Sequence, residues 1–255
     1  MDIAYIIGPG SKWDDNELRY SLRSIDRYGL GIDNIWIIGY CPDFIDQTKV
    51  NYIPMQDRPG RAPAQNVFFK IRYLMESPIT PDKIIISSDD HFFIRQVDFD
   101  HWPIFFKGFE MPTHASVGSG KFGDRRYTQC MADTRDIMDQ LGLGTVYFEG
   151  HTNKLYDKRA WSWLKKRHAF DLILTCSAGL STNSLMGATM TKVFGYTPIH
   201  RTDVKLRDKD LQQHAIRQLL KDTDEFSIYD SAIDAGIDTY LKDLFPDPSR
   251  WEKKV

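Results

Sequence analysis

The stretch Lys83-Ile84-Ile85-Ile86-Ser87-Ser88-Asp89-Asp90-His91-Phe92-Phe93 decides how the rest of the chain is read. A short β-branched run with no polar interruption predicts a strand buried on both faces, as in the middle of an α/β sheet. It ends in two adjacent carboxylates. In open α/β sheets, ligands bind beyond the carboxyl ends of the strands, which is where Asp89 and Asp90 fall. Two carboxylates there can share a hard divalent cation, Mn²⁺ or Mg²⁺, whose remaining positions go to phosphate oxygens. Asp-Asp also caps strands and opens turns with no ligand involved. Phe92 and Phe93 favour the metal–phosphate reading, because solvent-exposed turns rarely carry two aromatics.

Upstream, Ile3 to Ile7 reads as a first strand, stopped by the turn signal Gly8-Pro9-Gly10. Asp14 with Glu17 resembles a capping box opening a helix whose inward face carries Leu18, Leu22 and Ile25, closed at Tyr28-Gly29. Arg19 and Arg23 share another face, at a spacing that lets both meet one anion. Asn34 to Gly39 is a second buried strand. Val50 to Pro54 is a third, placed near an edge by its proline. A polar, proline-rich loop from Asp57 to Pro63 leads into a helix with Val67, Ile71 and Leu74 inward, leaving Asn66, Lys70 and Arg72 for other work. This strand–helix alternation predicts a Rossmann-like α/β layout. A dinucleotide site would want G-x-G-x-x-G, but only Gly8 and Gly10 of that pattern are present, and there is no Walker-type lysine.

The second half is less regular and richer in helix. Gly118 to Gly123 is a glycine-rich loop. Helical spacing returns at Ile137, Met138 and Leu141, and again after Asp157 with Trp161 and Leu164. Between them, His151 follows the strand-like Tyr147-Phe148. Residues 172–195 have no clear periodicity. Asp208 is expected to cap a helix with Leu211, Ala215 and Leu219 inward, and a last helix is expected over 231–244. No repeat or composition break divides the chain, so 1–255 reads as one domain, with 1–105 as a nucleotide-binding half and 106–255 as an acceptor-binding half.

The net charge of −2 over 255 residues gives no chain-wide footprint for nucleic acid. Cys41, Cys130 and Cys176 show no metal-ligand spacing and suit a reducing compartment. No basic region precedes an apolar core at the N-terminus, and no apolar run approaches a membrane span, so a cytoplasmic protein is expected.

The run from Asn16 to Ile25, then Ile35 to Ile38, then Ser88 to Phe93, resembles the Stealth-type sugar-phosphate transferases. More broadly, it is similar to the nucleotide-sugar glycosyltransferases of the GT-A fold. The resemblance covers about the first hundred residues. It implies a GT-A-like mixed sheet flanked by helices, with a helix-rich C-terminal half. It also implies a nucleotide-sugar donor, UDP-linked, and an Mn²⁺ or Mg²⁺ ion. By the Asp-x-Asp pattern of GT-A enzymes, Asp90 is the direct metal ligand with Asp89 beside it. His151 is a candidate general base or third metal ligand, since imidazole serves either role. Gly8, Pro9, Gly10 and Ser11 form the loop that approaches the nucleotide. Arg19, Asp57, Asn66 and Lys70 are candidates for contacts to the nucleotide, its phosphates or the sugar. The acceptor implied is a glycan or, as in some phage enzymes, a DNA base. A sugar-1-phosphate transferase and a non-catalytic nucleotide- or carbohydrate-binding protein are the alternatives.

Overall fold

The computed structural model describes residues 1–121, 123–211 and 213–254, with side chains for all of these except 174 and 213–215. The chain runs β1 (Asp2–Ile7), α1 (Asn16–Tyr28), β2 (Gly29–Leu30), β3 (Ile35–Gly39), β4 (Asn51–Pro54), α2 (Pro63–Glu76) and β5 (Lys83–Ser87). Next come β6 (His91–Phe93), β7 (Val97–Asp98), β8 (Ile104–Phe106), α3 (Arg125–Gln140), β9 (Lys154–Asp157), α4 (Lys158–Lys166) and α5 (Thr182–Phe194). It closes with β10 (Pro198–His200), β11 (Lys205–Leu206), α6 (Gln213–Leu219), β12 (Glu225–Ile228), α7 (Asp230–Asp234) and α8 (Ile237–Leu244).

The main sheet has the order β4-β3-β1-β5-β9. Its first four strands are mutually parallel, and β9 runs antiparallel on β5. The expected α/β class is therefore present, with a parallel-rich sheet between helices. Pro54 lies on edge strand β4, as its missing N–H requires.

Alternation along the strands sorts side chains to two faces. Ile84 and Ile86 pack with Phe68, Ile71 and Leu74 of α2 and Trp161 of α4. Ile3, Tyr5 and Ile85 pack on the other face with Leu18, Leu22 and Ile25 of α1. Ile84 and Ile85 are fully buried, and each such side chain contributes about 1.5–3 kcal/mol of transfer free energy. The chain then leaves the main sheet at Ser88-Asp89-Asp90 and enters a second, three-stranded sheet of order β11-β12-β6. Phe93 faces the α1 core, while Phe92 faces a third cluster with Phe226, Leu241 and Phe245. The two phenylalanines thus anchor β6, directly after the carboxylates, into cores on its opposite faces.

Several local expectations are corrected. The start of α1 is not a capping box: Asp15 sits at φ 57° with no side-chain cap. Ser11 Oγ instead accepts the N–H groups of Trp13 and Asp15 and donates to Glu17. Val67 is 40% exposed and Phe68 takes the inward position. Asp208 lies in a 3₁₀ turn ahead of α6, where Ile216 and Leu220 point inward and Leu219 is exposed; the side chain of Ala215 lies outside the described residues. The last helix is two helices, broken at Gly236, whose φ of 90° no helix tolerates. Residues 182–194, which showed no periodicity, form α5 because that helix is buried nearly all round.

Candidate active site

The carboxyl ends of β1 and β5 open into a cavity of about 790 Å³. One side is the loop Gly8-Pro9-Gly10-Ser11-Lys12. The floor is Ser88-Asp89-Asp90, and the far wall is His151, Lys205 and Tyr229 to Ser231. Seven of the expected site residues, Gly8, Pro9, Gly10, Ser11, Asp89, Asp90 and His151, are thus gathered in one place.

The floor is held from beneath. Ser24 Oγ of α1 accepts the N–H of Phe93, and the Ser21 hydroxyl bonds the Tyr5 hydroxyl. Ser21 and Ser24 of the Asn16-to-Ile25 run therefore fix β1 and β6.

Arg19 and Arg23 do converge on one anion, but it is the protein's own Glu252. Arg23 Nε and Nη2 donate to Glu252 at 2.7 and 2.9 Å, and Arg19 reaches the same carboxylate at 3.3 Å. Arg19 does not line the cavity, so its expected ligand contact is corrected. Lys70 is buried, donating to the Ile7 carbonyl at 2.7 Å and pairing with Asp57 at 2.6 Å. A Cβ on Gly8 would lie 3.3 Å from Asp57 Oδ2, so the pair braces the loop from its underside. Asn66 holds the backbone of Arg58. These three residues support the loop and do not line the cavity.

Electrostatics set the character of the floor. Burial, and then the charge of Asp90, push the Asp89 carboxyl up to about 7. Burial acts to raise Asp90 too, but His91, Lys205 and His151 outweigh it and hold that carboxyl below its ordinary range. Burial, with Lys205, lowers His151 to about 4, so its imidazole is neutral at pH 7. Lys205 Nζ donates to Asp90 Oδ2 at 3.1 Å and to His151 Nδ1 at 3.3 Å.

An ammonium thus stands between two of the three expected metal ligands. Among the described residues, no group of three or more His, Cys, Asp and Glu closes on one point. The donor set fits a hard cation in one form only: held by one or two carboxylates, with phosphate oxygens completing its shell. Around this cavity the carboxylates of Glu17, Asp89, Asp90 and Asp230 face only the amines of Lys12 and Lys205. Counted as ionised, that is a formal excess of two negative charges, and Asp89, raised to about 7, relieves it by holding a proton until a cation takes its place. His151 as a third ligand is not what this geometry offers.

Lys205, Lys12, Tyr229 and Asp230 went unnoticed in the sequence, and Glu17 was read only as a helix-capping residue. Lys205 lies 115 residues from Asp90 and arrives through the β6–β12–β11 pairing, which leaves no local signal. Lys12 and Asp230 form an ion pair of 2.9 Å joining the glycine loop to α7.

Among solved structures, the galactosyltransferase LgtC in complex with donor and acceptor sugar analogues aligns over 98% of this chain and 96% of its own. The identity is 10% and the TM-score 0.48. The apo form of the glycosyltransferase GlyE of Streptococcus pneumoniae TIGR4 aligns over 86% of this chain and 50% of its own, at 10% identity and TM-score 0.39. No family model and no curated protein matches the chain. At that distance, the chemistry is read from the residues themselves.

Proposed function

We propose that this chain is a glycosyltransferase that moves a sugar from a nucleoside-diphosphate donor, UDP-linked, to an acceptor. The observation that carries the reading is the Asp89-Asp90 pair at the carboxyl end of β5, in a cavity with two carboxylates too many. A diphosphate is repelled there unless a cation comes with it. Mn²⁺ or Mg²⁺, held by Asp90 with Asp89 beside it, would neutralise the diphosphate as leaving group.

The chain's own residues do the rest. Gly8 and Gly10 let backbone approach the nucleotide closely. Lys205 supplies a fixed positive charge beside Asp90, where negative charge on the leaving group grows. His151, neutral at pH 7 and lining the wall opposite the loop, is the candidate general base for the acceptor hydroxyl.

The test is UDP-sugar turnover with Mn²⁺ across a donor panel, following UDP and UMP separately in wild type and Asp90→Ala. Metal-dependent UDP release that disappears in the variant supports the reading. UMP release points instead to sugar-1-phosphate transfer. No turnover together with no metal-dependent UDP binding removes the donor site, while binding without turnover leaves a nucleotide-binding protein.

A further inference from the structure

A second cavity, of about 830 Å³, adjoins the first at His151, Lys205 and Tyr229. Those three residues line both cavities, so the two spaces meet along their side chains. Its chemistry is the reverse of its neighbour's.

Five of its lining side chains are Lys or Arg, and four are carboxylates. The carboxylates are already committed. Asp203 is 6% exposed against Lys107 Nζ at 2.9 Å. Asp210 accepts the N–H of Arg207, and Asp124 accepts that of Tyr127 at the start of α3. Glu149 accepts from Ser181 and Asn183. Of the cations, Arg207 and Lys209 are exposed, whereas Lys107 is spent on Asp203 and Lys205 on Asp90.

The Tyr229 ring organises the rim. Lys205 Nζ lies 4.5 Å and the Arg207 guanidinium 4.6 Å from its centroid. Both cations thereby lie against one aromatic ring at the junction of the two cavities. Deeper in, the hydroxyls of Tyr127 and Tyr147 bond each other, and Glu149 lies beside them. Phenols and a carboxylate are the groups that meet sugar hydroxyls; a guanidinium and amines are the groups that meet a phosphate or carboxylate.

We propose that this second cavity binds an anionic acceptor, a saccharide bearing a phosphate or a carboxylate, with Arg207 and Lys209 holding the anion. The proposal deepens the transferase reading and rests on it for the word acceptor. A duplex nucleic acid does not suit the site, because its cations ring one concavity and do not track a backbone stripe.

The experiment is calorimetric titration of the whole chain with glucose 6-phosphate, glucuronate and glucose, at low and high ionic strength, against an Arg207→Ala/Lys209→Ala double variant. Far-UV circular dichroism checks that the variant folds, and Arg207→Lys keeps the charge while removing the planar fork. The proposal expects both anionic sugars, or one of them, to bind and glucose to bind at least about tenfold more weakly. It expects the double variant to lose about tenfold for the anionic sugar while Mn²⁺–UDP affinity stays unchanged. Which of the two anions binds more tightly identifies phosphate or carboxylate as the recognised group. Equal binding of glucose, no binding of either anion, an unmoved double variant, or tighter binding of a duplex oligonucleotide each overturns it. A separate Mn²⁺–UDP titration of wild type reports on the donor site. If that fails while the anionic sugars still bind through Arg207 and Lys209, the transferase reading falls and an anionic-sugar site stands.

Discussion

The two cavities that meet at His151, Lys205 and Tyr229 differ little in size, about 790 and about 830 Å³, yet they pose opposite electrostatic problems. The first is floored by carboxylates at the end of a buried parallel strand, and an anion enters it only with a counter-ion. The second presents Arg207 and Lys209 to solvent and ties its acids into backbone hydrogen bonds and ion pairs, which on the proposal above lets an anion enter unaided. One lysine serves both. The difference teaches how a near-neutral chain can set two opposite charge environments side by side: charge is sorted by which side chains are already hydrogen-bonded, and net composition does not reveal it.

Removing Asp90 breaks the comparison most severely. Asp90→Ala is expected to cost more than about 100-fold in Mn²⁺-dependent UDP affinity, beyond what supporting residues of metal sites usually cost. Binding in the second cavity is expected to be unaltered. Calorimetry with Mn²⁺–UDP and with a sugar phosphate reads both.

Beneath the wall, Glu225 is 3% exposed, and burial pushes its carboxyl up to about 7 against the lowering pull of Arg201 and Lys154. The folded state therefore holds this proton more tightly than the unfolded chain, whose glutamate titrates near 4.5. Below about 4.5 both states are protonated and the contribution to stability is full. As pH rises from about 4.5 to about 7 it is lost, by about 3 kcal/mol. Urea unfolding across that window should show the decline flattened in Glu225→Gln. An unchanged slope would move the titration elsewhere.

Lys205→Ala tests whether the wall is shared. About tenfold weaker binding is expected on both sides, as for loss of one charge-assisted hydrogen bond. An effect confined to one cavity would separate them.

The smallest effect is expected at Arg19. Because its guanidinium is spent on Glu252 and lies 4.3 Å from the Phe44 ring centroid, Arg19→Ala should leave Mn²⁺–UDP affinity within about twofold, within the range usual for residues outside the site. A large loss would return Arg19 to the donor cavity.

The sheet was legible because its strands announce themselves: Ile84, Ile85 and Ile86 can be satisfied only inside a sheet, and Pro54 only at its edge. Asp89 and Asp90 were legible for the same reason, since whatever follows such a strand sits at its carboxyl end. Val67 and Leu219 were misplaced because a helical stripe one residue to either side fits the same spacing, and only the packing partner chooses. The break at Gly236 was hidden because a glycine inside a helical pattern is tolerated until neighbours bend the chain.

By itself the sequence determined the parallel core, the glycine loop after β1 and the acidic end of β5, because each follows from local periodicity and backbone freedom. Only the tertiary structure decided which charges share a space. Arg19 and Arg23 turned to Glu252, Lys70 turned to Asp57 and the Ile7 carbonyl, and Lys205 came across 115 residues to Asp90. A long, flexible cation takes whichever partner the fold brings within about 3–4 Å, where Coulomb attraction and a hydrogen bond act together. That partner is set by strand pairing and core packing, which no spacing along the chain encodes.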